Sequence, residues 1–331
     1  SNLQAGFLES KTLMNLDSEE EGAIYVGCSG GRDTNATWKV QFEKAPPKTM
    51  GAMIRVAGLK GGHSGLEIDK GRGNAIKILN RALFAASECG ARLSSIEGGN
   101  KRNAIPREAE AVVFIPKSKW KVTAESVMRF NIVARAELAT VDPDLSVTVE
   151  EVKVKSKKVV KKALQKKLMQ TISGLPHGVI RMSADIPGLI ETSTNVAVIR
   201  TEKSKITMAT SQRSSVDSEK QEIIHGVTSI FELGGAEVFG TDGYPGWKPN
   251  LNSDILRIAK STYQQLYGKD AEVKAIHAGL ECGIIGERMS GMDMISFGPT
   301  LEGVHSPDEK IYIDTVERYW NFLLAILRNV N

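Results

Sequence analysis

Two amphipathic helices set among four apolar strands, all within residues 52–152, constrain this chain more than any other feature. Residues 52–56 read as a strand, and residues 74–86 as a helix with Ile76, Leu79 and Leu83 on one face. Strands follow around residues 92–96 and 109–115, then a helix over 124–138 and a strand over 145–152. That β-α-β-β-α-β order is ferredoxin-like. A second set follows: a helix over 159–172, strands at 179–182, 195–199 and 205–211, a helix over 218–233 and a strand at 236–239. The spacing predicts a duplicated α+β module.

The flanks carry a different pattern. Before Pro46-Pro47, strands at residues 11–16 and 23–26 surround the acidic run Asp17-Ser18-Glu19-Glu20-Glu21, and Cys28-Ser29-Gly30-Gly31 reads as a glycine-rich turn. After residue 250 come a helix over 253–267, a strand at 271–276 running into His277, a short helix near Cys282, a strand at 293–297 leading to His305, and a helix over 315–330. Asp314, with Glu317 three residues on, has the spacing of a capping box. Residues 1–45 and 251–331 are therefore expected to form one α/β domain, with residues 46–250 inserted as a lid. Ligands in such domains bind beyond the carboxyl ends of strands, where Asp17, His277 and His305 are expected to lie.

Composition narrows the function classes. With 43 Lys+Arg against 39 Asp+Glu, the net charge of +4 is too mild to indicate nucleic acid without a focused patch. The lysines between residues 153 and 167 interleave with Val160, Leu164, Leu168 and Ile172, which makes them the wet face of a helix. Three scattered cysteines suggest a reduced, cytoplasmic protein, and no apolar run reaches membrane-span length.

Several polar residues stand where chemistry could use them, although each alone has an ordinary structural reading. His305 sits on a proline-bounded loop followed by Asp308 and Glu309. Asp17 ends a strand. Imidazole and carboxylate suit zinc or manganese. His63, in Gly61-Gly62-His63-Ser64-Gly65, could project an imidazole towards a developing oxyanion. Arg213, at the end of an alternating strand, could clamp a carboxylate with two parallel bonds. Asn103 and Asn195 lie at expected strand edges.

Taken in order, residues 15–22, 58–65, 71–75, 102–109, 211–215, 277–283 and the His305 loop resemble the aminoacyl-histidine (Xaa-His) dipeptidases of the M20 metallopeptidase family. The resemblance implies a two-zinc α/β catalytic domain, with manganese or cobalt as alternatives, and an inserted lid. It makes Asp17 and His305 metal ligands and His63 the lid imidazole that stabilises the tetrahedral intermediate. Arg213, Asn103 and Asn195 would bind the substrate carboxylate, while His277 and Glu281 line the cleft. It also implies a cytoplasmic homodimer acting on small dipeptides such as β-Ala-His, with neither nucleic acid nor membrane as partner. The His-x-Asp, bridging aspartate and Glu-Glu pair of that family have no match here. The expectation is thus an incomplete catalytic domain, a C-terminal part without its general base and inactive alone. The alternatives are a non-catalytic binding or dimerisation module on the same fold, or another M20 activity such as an aminoacylase or carboxypeptidase.

Overall fold

The computed structural model describes residues 4, 6–302, 304 and 308–330. Its largest element is a nine-stranded antiparallel sheet. One half takes the neighbour order Ser146–Glu151, Thr49–Ala57, Ala109–Pro116, Arg92–Gly98. Numbered by chain position, that is 4-1-3-2, the ferredoxin-like arrangement expected from the element order. The helices Ala75–Glu88 and Trp120–Glu137 complete this half. The second half runs Ile190–Thr201, Lys205–Ser214, Gly30–Lys39, Glu237–Gly240, with Gly178–Met182 paired to the first of these. A short pairing, Ile199 with Gly98 and Arg200 with Glu97, fuses the halves.

Period-2 burial drives this assembly. Ala52, Ile54 and Val56 face inward beside Ala111, Val113 and Ile115, and Ile76, Leu79 and Leu83 of the first helix close over them. Asn74 caps that helix: its Oδ1 accepts from the N–H groups of Ile76 at 3.0 Å and Lys77 at 3.2 Å. Its amide donates to the Val196 carbonyl of the other half at 2.7 Å. Lys77 adds a second tie, donating to the carbonyls of Ile172, Ser173 and Leu175 at 2.7–2.9 Å, where the helix Lys162–Gly174 ends.

The flanks meet in a second, four-stranded sheet, ordered Thr12–Asn15, Asp293–Ser296, Ala23–Cys28, Glu272–Ile276. Its core holds Ile24, Val26, Ile295 and Phe297 against Leu256, Tyr263, Phe322 and Ile326 of the helices Asp254–Tyr267 and Ile313–Asn329. The first two strands are parallel to each other, as are the last two, but Ser296 meets Tyr25 in antiparallel pairing. The two pairs therefore run in opposite directions.

Local expectations differ from the structure at four places. Residues 28–31 form no turn: Ser29 alone separates two strands, and its N–H is shared between the carbonyls of Ile276 at 3.1 Å and Ala278 at 3.0 Å. The helix expected from residue 159 starts at Lys162, because Val159 and Val160 pair as a strand with Glu43 and Phe42. Asn195 lies inside a twelve-residue strand rather than at its edge. Tyr312, not Asp314, occupies the cap of the last helix and makes no side-chain cap bond, so Asp314 serves in the first turn, where a carboxylate favours the helix dipole.

One buried carboxylate holds the lid loop. Asp142 is fully buried and accepts from the N–H groups of Lys60 at 2.8 Å and Gly73 at 2.7 Å, spanning the segment that carries His63. Asp142→Ala leaves both amides without their acceptor and should cost about 3 kcal/mol of unfolding free energy. Urea denaturation within error of the parent protein would refute that anchoring role.

Candidate active site

His63 sits in a two-stranded ribbon, Gly62–His63 against Ala104–Ile105. Its Nδ1 accepts from the N–H groups of Gly65 at 3.2 Å and Leu66 at 3.1 Å, so the ring proton belongs on Nε2. Burial holds its pKa below the ordinary histidine value, the Arg213 charge lowers it further, and Glu67 opposes both. The result is a neutral imidazole whose Nε2–H meets no acceptor among the described residues. Glu67 fixes the ribbon by accepting from the His63 N–H at 2.8 Å and pairing with Arg72 at 2.8 Å.

His277 lies close by. A Cβ placed on Gly65 would stand 2.3 Å from the His277 carbonyl oxygen and 3.1 Å from His63 Cε1, so the loop passes between the two histidines with no space for a side chain. His277 Nε2 is 2.7 Å from Ser193 Oγ. Burial, then the Arg213 charge, drive its pKa down to about 3.

Arg213 is the third member. It is only 7% exposed, and its Nη1 donates to the Tyr244 phenol at 2.7 Å. Among the described residues its Nε is buried with no partner and the guanidinium forms no ion pair. Asn195, buried in the strand beside that of Arg213, donates to the Ala104 carbonyl at 2.8 Å beneath the His63 ribbon and leaves its Oδ1 unpartnered. Asn103 is exposed and, with His63, lines a cavity of about 640 Å³.

Asp17 stands apart. It follows the Thr12–Asn15 strand, whose direction opposes that of Glu272–Ile276, so Asp17 and His277 leave opposite edges of the four-stranded sheet. Each follows the carboxyl end of its strand, but the two ends lie on opposite sides of the sheet. The Asn15 side chain accepts from the Asp17 N–H at 3.3 Å and donates to Glu281 at 3.4 Å, which links Glu281 to the Asp17 rim. The segment leading to residue 305 docks on this rim too. Leu301 N–H donates to the Glu19 carbonyl, Glu21 N–H donates to Thr300 Oγ1, both at 3.1 Å, and Ser18 Oγ meets Ser296 Oγ at 2.6 Å. His305 itself lies outside the described residues.

Among the described residues no three His, Cys, Asp or Glu side chains converge where one ion could sit. Asp17 does not make a metal site with them. Tyr244, Ser193 and Asp142 carry no sequence motif, and only their contacts single them out.

Comparison with known proteins gives this arrangement a family. A model described as the peptidase dimerisation domain of the M20 family matches residues 54–139. The cytosol non-specific dipeptidase of Escherichia coli strain K12 is 37% identical over 329 residues, covering 99% of this chain and 68% of that protein. The crystal structure of aminoacylhistidine dipeptidase from Vibrio alginolyticus superposes with a TM-score of 0.93 at 40% identity, covering 99% of this chain and 67% of that one. These alignments do not bear out the reading of the chain as an inactive C-terminal part.

The buried histidines give a pH prediction. His277 stays neutral down to about pH 3 when folded, but titrates near about 6.5 when unfolded. The unfolded chain therefore binds the extra proton between those values, and stability falls as pH drops through that window. Each such group contributes up to about 1.4 kcal/mol per pH unit. His277→Gln should flatten the loss of melting temperature between pH 6.5 and 4, and His177, lowered to about 4, should leave a residual slope. Parallel profiles for the two proteins would sink this account. On identity, coverage and superposition, the chain belongs to the M20 peptidase family.

Proposed function

We propose that this protein is a dipeptidase that hydrolyses Xaa-His and related dipeptides, with β-Ala-His as the type substrate. The observation that carries this reading is Arg213, a buried guanidinium with an unpartnered Nε, which suits the free carboxylate of a short peptide. His63, neutral and with Nε2–H available, is the donor to the oxyanion that forms as the peptide carbonyl is attacked. Asn103 and Asn195 flank the carboxylate end, His277 lines the cleft on the lid side, and Glu281 lines it on the Asp17 rim. The two relatives are named for different breadths, one non-specific and one for aminoacylhistidine. A carboxylate clamp supports either, because it reads peptide length rather than side chain.

M20 peptidases are generally metal-dependent. Asp17 and His305 are proposed as ligands, one to each of two zinc ions, with manganese or cobalt as substitutes. What a bound metal supplies is polarisation of the carbonyl and a nucleophilic water. We assign residues 1–28 and 251–331 to the catalytic domain and residues 30–250 to the lid, moving the expected boundary back from residue 45 because Gly30–Lys39 is a strand of the nine-stranded sheet, and we place the protein in the cytoplasm as a homodimer. No helix among the described residues is long and apolar enough to cross a membrane.

The dimer reading rests on the matched dimerisation domain and on one helix face within it. Met128 and Ile132, one turn apart on the helix Trp120–Glu137, are 63% and 64% exposed. A second copy of the chain is their proposed cover. The opposed positions of His63 and Asp17 favour a lid imidazole that serves the partner's rim.

Two outcomes are expected. The purified protein should release histidine from β-Ala-His, lose that activity on dialysis against EDTA and regain it with zinc. In the same assay Arg213→Met should raise KM at least about tenfold, the loss of one charged hydrogen bond or more. Hydrolysis indifferent to EDTA, or an unchanged KM, would contradict the proposal. Separately, Met128→Glu combined with Ile132→Glu should convert dimer to monomer in sedimentation velocity, and a double variant that sediments as the parent does would rule out that face.

A further inference from the structure

Tyr244 lies outside every motif, yet its surroundings are built around it. It sits on the return segment after the Glu237–Gly240 strand and pairs with Gly31 in both directions: Gly31 N–H donates to its carbonyl at 3.0 Å, and its own N–H donates back at 2.8 Å. Lys220 Nζ also donates to the Tyr244 carbonyl, at 3.1 Å. The phenol ring then lies against Gly31. A Cβ at that position would come within 2.7 Å of the ring and its oxygen, so any other residue there would push the ring away. This explains why a glycine stands at the second position of an extended ladder, where it otherwise weakens a strand.

The ring is placed so that its oxygen accepts from Arg213 Nη1. A guanidinium presents two forked edges, and the one formed by Nε and Nη2 does not include Nη1. Occupying Nη1 therefore fixes the plane of the group and leaves the Nε–Nη2 edge for a ligand. Nε is the atom found buried and unpartnered. A planar carboxylate accepting from Nε and Nη2 together would complete the donor set with two parallel bonds.

We infer that Tyr244 is the positioning residue for substrate recognition: seated on Gly31, it holds the Arg213 fork so that its Nε–Nη2 edge takes the peptide's terminal carboxylate side-on. This rests on the assignment of Arg213 as the carboxylate clamp. It adds a specificity element, because a fork fixed in one plane discriminates a free carboxylate from a neutral amide, whereas a freely rotating guanidinium discriminates less.

The test is calorimetric binding of the reduced analogue of Ala-His, whose CH2–NH link resists hydrolysis, compared with its C-terminal amide. The parent protein should prefer the free acid. Tyr244→Phe, which keeps the ring and removes only the oxygen, should weaken the free acid about tenfold and leave the amide unchanged, with an unaltered far-UV spectrum; tenfold corresponds to about 1.4 kcal/mol. A purely structural role would weaken both ligands alike, and that result overturns the inference. So does a Tyr244→Phe protein that binds the acid as the parent does while Arg213→Met loses it. If Arg213→Met also binds the acid normally, the carboxylate clamp itself is wrong and the role of Tyr244 falls with it.

Discussion

A guanidinium buried without a carboxylate is the constraint on which this site depends. An isolated interior charge costs several kcal/mol in desolvation, and removing its partner is more damaging still. Arg213 meets that cost with one hydrogen bond to a phenol and leaves its Nε unpaired. Such an arrangement stays costly in free energy while that donor is unpaired. The same charge lowers the pKa of both nearby histidines. It thus favours two neutral imidazoles, and under the proposed function a bound carboxylate would offset that repulsion while completing the donor set.

The backbone around this group serves to keep it from relaxing. Arg213 stands in a ladder of ten paired residues with Gly30–Lys39, and that strand continues, after Ser29 alone, from the small sheet. The guanidinium is therefore fixed relative to both sheets by the same stretch of chain. On the lid side, Asp142 binds two backbone amides and Asn74 ties helix start to neighbouring strand, so the His63 ribbon is held by buried hydrogen bonds rather than by loop packing. Sites that must distinguish small ligands need such support, since a looser fork would give up selectivity first.

The sequence carried much of this because its signals are periodic. Alternation over residues 52–56 and 109–115 and the helical spacing of Ile76, Leu79 and Leu83 are local patterns, and the 4-1-3-2 sheet follows from their order. Gly30-Gly31 misled for a physical reason: glycine marks turns by its conformational freedom, but here it is required by the bulk of a tyrosine more than two hundred residues away. Asp142 and Tyr244 were invisible for the same reason, since what makes them matter is a partner distant in sequence. The opposed edges of Asp17 and His277 depend on a single antiparallel contact, Ser296 with Tyr25. No pattern within either segment encodes that direction.

That antiparallel contact has the larger consequence for mechanism. Were all four strands of the small sheet parallel, Asp17, His277 and the lid histidine would share one rim, and a single protomer could assemble its site without rearrangement. Instead, the lid group of His63, Arg213 and His277 forms around one edge, while Asp17, Glu281 and the start of the His305 loop gather at the other. Catalysis that needs both groups at one peptide bond therefore requires either a large lid movement or a second copy. A large movement would have to disrupt the shared N–H of Ser29 or the pairing of Cys28 with Trp247, both of which lie where the two sheets join. Association disrupts neither. A dimer in which each lid serves the other protomer's rim is the arrangement that leaves the buried Arg213 fork, and the tyrosine that aims it, undisturbed.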